Sequence, residues 1–182
     1  IGNLCAVAVR NFLPAYVSRD IEEGRLSLFL VKPISYVRYV FTNELGRAFL
    51  ATVLSFTSQL VIISFFLDRI VINTNPLALA LVAAMILLAF ITEMIIGFLI
   101  GCIAFWTEEV DGLQAAIDRL RRFFSGGYFP LSLLPSALAT ACTLLPFAYS
   151  FFVPAEIYLG KITMQQALMG LGVQIIWIAL LS

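Results

Sequence analysis

The sequence contains no histidine and few charged residues. Charged side chains make up 12% of the 182 residues, and the commonest general base and metal ligand is missing altogether. The three cysteines, Cys5, Cys102 and Cys142, are far apart and form no C-x-x-C pair, which favours small apolar residues over a disulfide or metal framework. No phosphate loop of the G-x-x-x-x-G-K-[ST] type and no G-x-S-x-G elbow occurs. We therefore expect no catalysis, metal or cofactor on this chain.

Apolar residues are abundant instead. They account for 62% of the sequence, and the mean hydropathy is +1.01. A soluble domain is typically about 45–50% apolar and about 25% charged. The composition predicts an all-α, polytopic membrane protein. The chain starts at Ile1 rather than at a methionine and stops at Ser182 inside an apolar run, so we expect a fragment that lacks its N-terminal span or spans.

The apolar runs are long enough for spans, which need about 20 residues each. Glycines and prolines cut the region before the last run into pieces of about a dozen residues, the length of re-entrant helices. The predicted order is the tail of a preceding span at 1–18, a short helix at 20–32, spans at 46–67, 77–106 and 112–128, re-entrant helices at 131–159 and a truncated last span at 162–182. The span at 112–128 is the weakest of these predictions, because it is short and charged.

Basic residues are concentrated before the first secure span. They are Arg10, Arg19, Arg25, Lys32, Arg38 and Arg47. The positive-inside rule places residues 10–47 in the cytoplasm, and alternation of the spans then places 126–161 outside.

The short helix predicted at 20–32 cannot cross a bilayer. Asp20 followed by Glu23 indicates a helix start of the capping-box kind, and Pro33 disfavours helical geometry at Lys32. About three turns lie between these limits, so the helix belongs outside the hydrocarbon. One face of the helix is charged and the other is apolar. This pattern fits a helix that docks into a groove of a soluble partner, and it fits an ordinary juxtamembrane helix as well.

Two motifs in this chain resemble the type-2 ABC transporter permeases. The first is an I-x-x-G-x-L-x-x-x-L-x-x-P run, formed by Ile21, Gly24, Leu26, Leu30 and Pro33. The second is a glycine- and proline-rich block, formed by Ser125, Gly126, Pro130, Leu131, Leu134, Pro135, Leu145, Pro146, Phe147, Pro154, Ile157 and Gly160. The motifs lie on opposite predicted sides of the membrane, and the resemblance spans nearly the whole chain.

The resemblance implies the permease subunit of an ATP-driven exporter in the cell membrane. It implies a dimer with a second permease copy or paralogue, and a separate ATP-binding subunit that holds ATP and Mg. Residues of the cytoplasmic coupling helix would then be Ile21, Glu22, Glu23, Gly24, Arg25, Leu26, Phe29, Leu30 and Pro33. An extracellular gate, for which the alternative is a passive cap, would be built from Gly126, Pro130, Pro135, Pro146, Phe147 and Pro154.

Glu93 interrupts an otherwise apolar predicted span. An ionisable residue at such depth is costly and usually paired. Arg119 and Arg122 lie at similar predicted depths, so we predict a buried pair with one of them, in either a structural role or a transport pathway. Gly97 and Gly101 form a small-xxx-small motif, which suits packing within the subunit and dimerisation equally.

A second functional class stays open on the residues alone. The chain could be a secondary transporter or channel fragment in which Glu93 and a basic partner act as an ion or proton relay.

Overall fold

A computed structural model describes residues 12–31, 33–65, 75–107, 111–129 and 131–182 of the chain. Within these ranges the chain forms helices and no strands, which agrees with the predicted all-α class. The α-helices are α1 (Leu13–Glu22), α2 (Leu26–Leu30), α3 (Tyr36–Ser64), α4 (Pro76–Cys102), α5 (Asp111–Phe124), α6 (Ser136–Leu144), α7 (Phe152–Tyr158) and α8 (Met164–Leu181). Short 3₁₀ helices cover Ile103–Phe105, Leu131–Leu133 and Pro146–Ser150.

Helix α4 is the element on which the others are assembled. It starts after Asn75, whose side chain accepts a hydrogen bond of 3.1 Å from the Leu77 amide, and Pro76 occupies its first turn. Helices α1, α7 and α8 pack against it, as does the 3₁₀ helix Pro146–Ser150. Among the described residues, two helices are long and apolar enough to cross a membrane, namely Pro76–Phe105 and Met164–Leu181.

Two buried clusters divide the length of α4. The N-terminal core joins α1 and α3 to α4 and consists of Leu13, Val17, Val40, Ala48, Phe90 and Met94. The C-terminal core joins α4 to the proline-rich block and α8, and consists of Val82, Met85, Leu131, Cys142, Ala148, Tyr149, Val153, Ile157 and Ala167. The N-terminal core packs on the C-terminal half of α4, and the C-terminal core packs on its N-terminal half. Helix α4 therefore joins the N-terminal helices to the C-terminal block.

The predicted helix start at Asp20 is wrong. Helix α1 begins at Leu13, with Pro14 in its first turn, because Leu13 and Val17 bury an apolar face that starts well before Asp20. Asp20 lies in the last turn of α1 and forms no capping box with Glu23. The helix ends at Glu22, and Gly24, two residues later, has a φ of +68°, the left-handed conformation that favours glycine after a helix C-terminus.

Several predicted spans correspond to helices with different limits. Helix α3 runs unbroken from Tyr36 to Ser64, so it includes most of the predicted span 46–67, whose last two residues lie outside the described part. Helix α5 has 14 residues, or about 21 Å, which is shorter than the hydrocarbon of a bilayer. Most of the predicted span tail at 1–18 also lies outside the described residues, and its end forms the first turns of α1.

Candidate functional site

The turn between α1 and α2 is stabilised by its own charges. Arg25 forms ion pairs with Glu23 at 2.7 Å and with Asp20 at 3.4 Å, and Arg19 lies 3.7 Å from Glu23. The Ser27 hydroxyl donates to the Gly24 carbonyl at 2.7 Å and tightens the start of α2. These side chains are mostly exposed, so each pair adds little free energy, but together they fix the path of the turn.

Contacts with α3 hold the same turn in place. The Tyr36 hydroxyl donates a hydrogen bond of 3.0 Å to Asp20, and the Phe29 ring lies 5.1 Å from the Tyr36 ring and 4.9 Å from the Tyr39 ring between centroids. Burial, together with the hydrogen bond to Asp20, raises the pKa of Tyr36 and so favours the protonated, donating form of its hydroxyl. Helix α2 is thus attached to the first turn of α3.

The residues predicted for the coupling helix do not form one helix: they lie at the end of α1, in the turn, in α2 and, for Pro33, after α2, and they differ in exposure. Glu22, Glu23, Gly24, Arg25 and Pro33 are exposed, whereas Ile21, Leu26 and Phe29 are half-buried; the side chain of Leu30 lies outside the described part. The sequence reasoning missed two apolar residues that this segment presents outward, Leu28 in α2 and Val31 directly after α2, which are 58% and 87% exposed. Both fall between the motif positions, and nothing in the local sequence distinguished them.

Glu44 is a buried carboxylate that the sequence reasoning also missed. It is 1% exposed and accepts a hydrogen bond of 3.2 Å from the Phe12 amide and another of 3.0 Å from Nε of Arg47. A second Arg47 nitrogen, Nη2, also donates to it. The guanidinium carbon of Arg47 lies 4.2 Å from the centre of the Phe12 ring, in cation–π geometry. This cluster attaches the start of α1 to α3.

Glu93 is buried in α4 and is bonded to two other elements. It is 2% exposed and accepts a hydrogen bond from Nη1 of Arg121, while Nη2 of the same guanidinium donates to Asp118. The Ser150 hydroxyl lies 3.4 Å from the other Glu93 oxygen. One carboxylate therefore connects α4 to α5 and to the 3₁₀ helix Pro146–Ser150.

Glu93 pairs with Arg121, so the prediction that its partner is Arg119 or Arg122 is wrong. Both of these arginines are exposed. The prediction placed the arginines of α5 at the right depth. At 3.6 residues per turn, however, Arg122 points about 100° and Arg119 about 200° away from Arg121 around the helix axis. Counting residues along a helix gives the depth of a side chain but not the direction in which it points. Among the described residues, no group of three or more Cys, Asp and Glu side chains is placed to hold a metal ion.

Four of the predicted gate residues, Gly126, Pro146, Phe147 and Pro154, lie in a packed block, whereas Pro135 is exposed. Gly126 is buried with a φ of +78°, Pro146 and Pro154 are buried, and Phe147 is half-buried. Pro135 precedes the first residue of α6, and Pro130 lies outside the described residues. The Tyr149 hydroxyl donates to the Thr143 carbonyl at 2.7 Å and ties the 3₁₀ helix Pro146–Ser150 to α6. Because it packs on α4 and α8, the block is positioned by the candidate spans.

The two glycines of the small-xxx-small motif are both buried in α4. At Gly101 the helix meets α1, close to Val17 and Pro14. Packing within the chain therefore accounts for the glycine at that position.

Comparison with known proteins gives one family match. A family model described as "ABC-2 family transporter protein" matches residues 3–182. No curated protein and no solved structure matches the chain. The matched range includes the turn between α1 and α2, the Glu93 cluster and the proline-rich block.

Proposed function

This chain belongs to the ABC-2 family of transporter proteins, and on that premise we propose that it is the membrane-spanning subunit of an ATP-driven exporter. Membership of this family means that the chain is a membrane component of a transporter. The finer proposal is that a separate ATP-binding subunit hydrolyses ATP with Mg, that a second permease copy or paralogue completes a dimer, and that the assembly resides in the cell membrane. The chain itself carries out no catalysis.

The observation that best supports a docking role is the rigid, apolar surface of α2 and its C-terminal end, which follow the turn between α1 and α2. Leu28 and Val31 project from a segment that is fixed by the Asp20–Tyr36 hydrogen bond and the Phe29 ring contacts. Exposed apolar side chains on a fixed base lose little conformational entropy when a partner covers them. We therefore assign the turn, together with α2 and Val31, as the surface that receives the ATP-binding subunit.

Helix α4 is suited to transmit movement from that surface. Helix α1, which leads into the turn, contacts α4 at Gly101, and Glu93 lies eight residues earlier, about 12 Å along the same helix. Ser150 of the proline-rich block contacts Glu93. We propose that a shift of the turn moves α4 and, through Glu93, the gate.

Family membership favours this function over a secondary transporter with a Glu93 relay. The Glu93 carboxylate is in contact with two elements of the chain itself, which supports a structural role for the pair with Arg121. Export is proposed as the direction of transport by analogy with the family.

Co-purification tests the docking role. The full-length protein carrying Leu28→Asp or Val31→Asp is isolated together with its ATP-binding subunit, and both the subunit and the ATPase activity are quantified. Each variant is expected to lower the recovered subunit about tenfold, which corresponds to roughly 1.4 kcal/mol of binding free energy. The amount of permease in the membrane should not change, because both side chains are exposed.

Leu133→Asp is the matched control. Leu133 is also a highly exposed leucine, at 76%, but it lies in the proline-rich block on the predicted extracellular side. Its variant should retain the ATP-binding subunit in full. Equal recovery from the turn variants and the wild type would contradict the assignment of the docking surface.

A further inference from the structure

Two arginines on α5 point away from the Glu93–Arg121 pair. Arg119 and Arg122 are exposed, and their guanidinium groups form no ion pair with any described residue. They are three residues apart, so their side chains are neighbours on the helix surface, about 60° apart around the axis. The two described carboxylates of α4 and α5, Glu93 and Asp118, are both bonded to Arg121 instead. Two positive charges therefore share one face of α5 without a negative partner among the described side chains.

The Glu93–Arg121 pair fixes the depth of that face. Glu93 lies about 4 Å from the midpoint of the apolar helix Pro76–Phe105, which has 30 residues and is about 45 Å long. Arg122 and Arg119 are one and two residues from Arg121, which places them within about 3 Å of it along α5. The hydrocarbon core extends about 15 Å to each side of its midplane. Both exposed arginines therefore lie at the level of the hydrocarbon core.

Lipid is an unfavourable neighbour for these arginines. A basic side chain near a border of the hydrocarbon can reach the headgroups, but about 15 Å separates this face from either border. Charged residues at such depth face the interior of a helix bundle or a water-filled cavity, and they mark the pathways of ions or substrates. No described helix covers Arg119 and Arg122. We therefore expect a water-filled space beside α5 in the assembled transporter.

A second copy of the chain would not neutralise this face by symmetry. In a two-fold dimer that brings α5 against α5, each arginine pair would meet the same pair of the other copy. Four like charges around one space repel one another and attract an anion from solution. The charge of the site thus favours an anionic occupant.

An aromatic ring borders the arginine pair. Phe123 is 40% exposed and lies four residues after Arg119, on the same side of the helix. Its ring is in edge-to-face contact with the rings of Phe124 and Phe129, at 5.4 and 5.2 Å between centroids, and these contacts hold it in place. Leu120, at 55% exposure, extends the apolar surface. The face therefore suits a compound that has an anionic group and an apolar body.

We propose that Arg119 and Arg122 bind the transported compound, and that this compound is an organic anion with an apolar body. The inference rests on the proposed transport function and names the class of its cargo. The anionic group of the cargo pairs with the two guanidinium groups, and its apolar body packs against Phe123. The Glu93–Arg121 pair positions α5 and does not contact the cargo.

Thiol labelling tests the charge of the space beside α5. Ala116 is exposed and lies three residues before Arg119. It is changed to cysteine in the full-length protein, after the three native cysteines have been replaced by alanine, and the protein is placed in lipid nanodiscs with its ATP-binding subunit. The rates of reaction with an anionic sulfonatoethyl and a cationic trimethylammonioethyl methanethiosulfonate are each divided by the rate with a free thiol. The anionic reagent should be favoured about tenfold, because a positive cleft concentrates anions.

Two sets of variants accompany this measurement. Arg119→Gln and Arg122→Gln, each combined with Ala116→Cys, should both reduce the preference for the anionic reagent about threefold, since each removes one positive charge. Leu87→Cys is the matched control on α4. Leu87 is 60% exposed and lies about 9 Å from Glu93 along the helix, but it is apolar and has lipid as its expected neighbour. It should react with neither reagent.

Dye binding tests the cargo class on protein that keeps its native cysteines. Carboxyfluorescein and rhodamine 123 share a xanthene ring system and carry opposite net charges, and fluorescence anisotropy gives the affinity of each. Carboxyfluorescein should bind more tightly to the wild type, and the double variant Arg119→Gln/Arg122→Gln should weaken its binding at least tenfold. Arg119→Lys/Arg122→Lys should retain most of the affinity. Arg38→Gln removes an exposed arginine at the start of α3 and should match the wild type.

Several results would overturn the assignment. They are an absence of reaction or of charge preference at Ala116→Cys, a wild type that does not prefer carboxyfluorescein, and a carboxyfluorescein affinity that the double glutamine variant leaves unchanged. A paralogous permease that covers this face with carboxylates would produce the first of these results. Failure of the proposed transport function is recognised separately, because the wild type would then not retain an ATP-binding subunit. A wrong cargo site leaves that retention as it is.

Discussion

A Cβ atom placed on Gly101 would lie 2.5 Å from the Cβ atom of Val17. It would also lie 3.2 Å from the carbonyl oxygen of Pro14, so the backbones of α1 and α4 are close here. Only glycine permits this approach. Because α1 continues directly into the proposed docking turn, the contact sets where the turn lies relative to α4.

Gly101→Ala should destabilise the protein, because neither the α1 backbone nor Val17 can move aside easily. Overpacking of this kind typically costs about 1–3 kcal/mol. The measurement is thermal unfolding of the full-length protein in detergent. Gly46→Ala is the matched control, since Gly46 lies inside α3 and a Cβ there would meet no atom within 4 Å. It should be neutral or stabilising, as alanine is the better helix former. Equal melting temperatures for the two variants would contradict the close packing.

The Glu93–Arg121 pair predicts strong coupling between two substitutions. Arg121→Gln should destabilise the protein by about 3–5 kcal/mol, because it leaves the buried Glu93 carboxylate without its cation, whereas Glu93→Gln should cost less, because Arg121 keeps its ion pair with Asp118. The double variant should lose clearly less than the sum. A double-mutant cycle on unfolding free energy measures the difference. Arg119→Gln and Arg122→Gln serve as controls and should have little effect when combined with Glu93→Gln. Additive losses for Glu93 and Arg121 would argue against the pair.

Glu44 should matter for stability even though it lies outside both motifs. Glu44→Ala removes the acceptor for the Phe12 amide and the carboxylate beside Arg47, and should destabilise the protein by about 1–3 kcal/mol. Glu44→Gln keeps an oxygen that can accept from Phe12 and should cost less. Thermal unfolding of both variants provides the comparison. A glutamine variant as unstable as the alanine variant would show that charge, rather than the hydrogen bond to Phe12, dominates.

Gly126 and Gly160 have similar backbone conformations in different surroundings. Their φ angles are +78° and +68°, so alanine at either position should cost about 1–2 kcal/mol of backbone strain. At Gly126 an added Cβ would also lie 3.3 Å from Leu131 and from Phe152, whereas no atom lies within 4 Å at Gly160. Gly126→Ala should therefore lower the melting temperature more than Gly160→Ala does.

Asparagine separates the two contributions. It tolerates the left-handed conformation, so Gly160→Asn should recover much of the stability lost in Gly160→Ala. Gly126→Asn should recover little, because the contacts with Leu131 and Phe152 remain. Full recovery at Gly126 would mean that strain alone explains its glycine.

Hydropathy predicted the coarse structure. The all-helical class and the long apolar helix at 77–106 follow from it, because an apolar run is a local property, and the structure has a helix at Pro76–Cys102. The helix start predicted at Asp20 was wrong because the apolar face of α1, at Leu13 and Val17, begins earlier and outweighs a weak capping signal. A capping pattern shows where a helix can start, whereas packing decides where it does.

The buried carboxylates show a different limit. Glu44 and Arg47 are three residues apart, as in many exposed helical pairs, and only the arrival of Phe12 from α1 buries them. For Glu93, the sequence indicated a basic partner on α5. It did not give the rotation of α5 about its axis, which decides that the partner is Arg121. Both features depend on how helices are set against each other, which no periodicity within one helix encodes.

The self-paired charges of the turn between α1 and α2 have a practical consequence for handling the complex. Arg19, Asp20, Glu23 and Arg25 largely neutralise one another, so the proposed docking contact depends on Leu28 and Val31 rather than on charge attraction. Salt screens exposed ion pairs but strengthens apolar association or leaves it unchanged. The assembled transporter should therefore tolerate washing at high ionic strength, whereas the choice of detergent, which competes for the same apolar side chains, should decide whether it stays together.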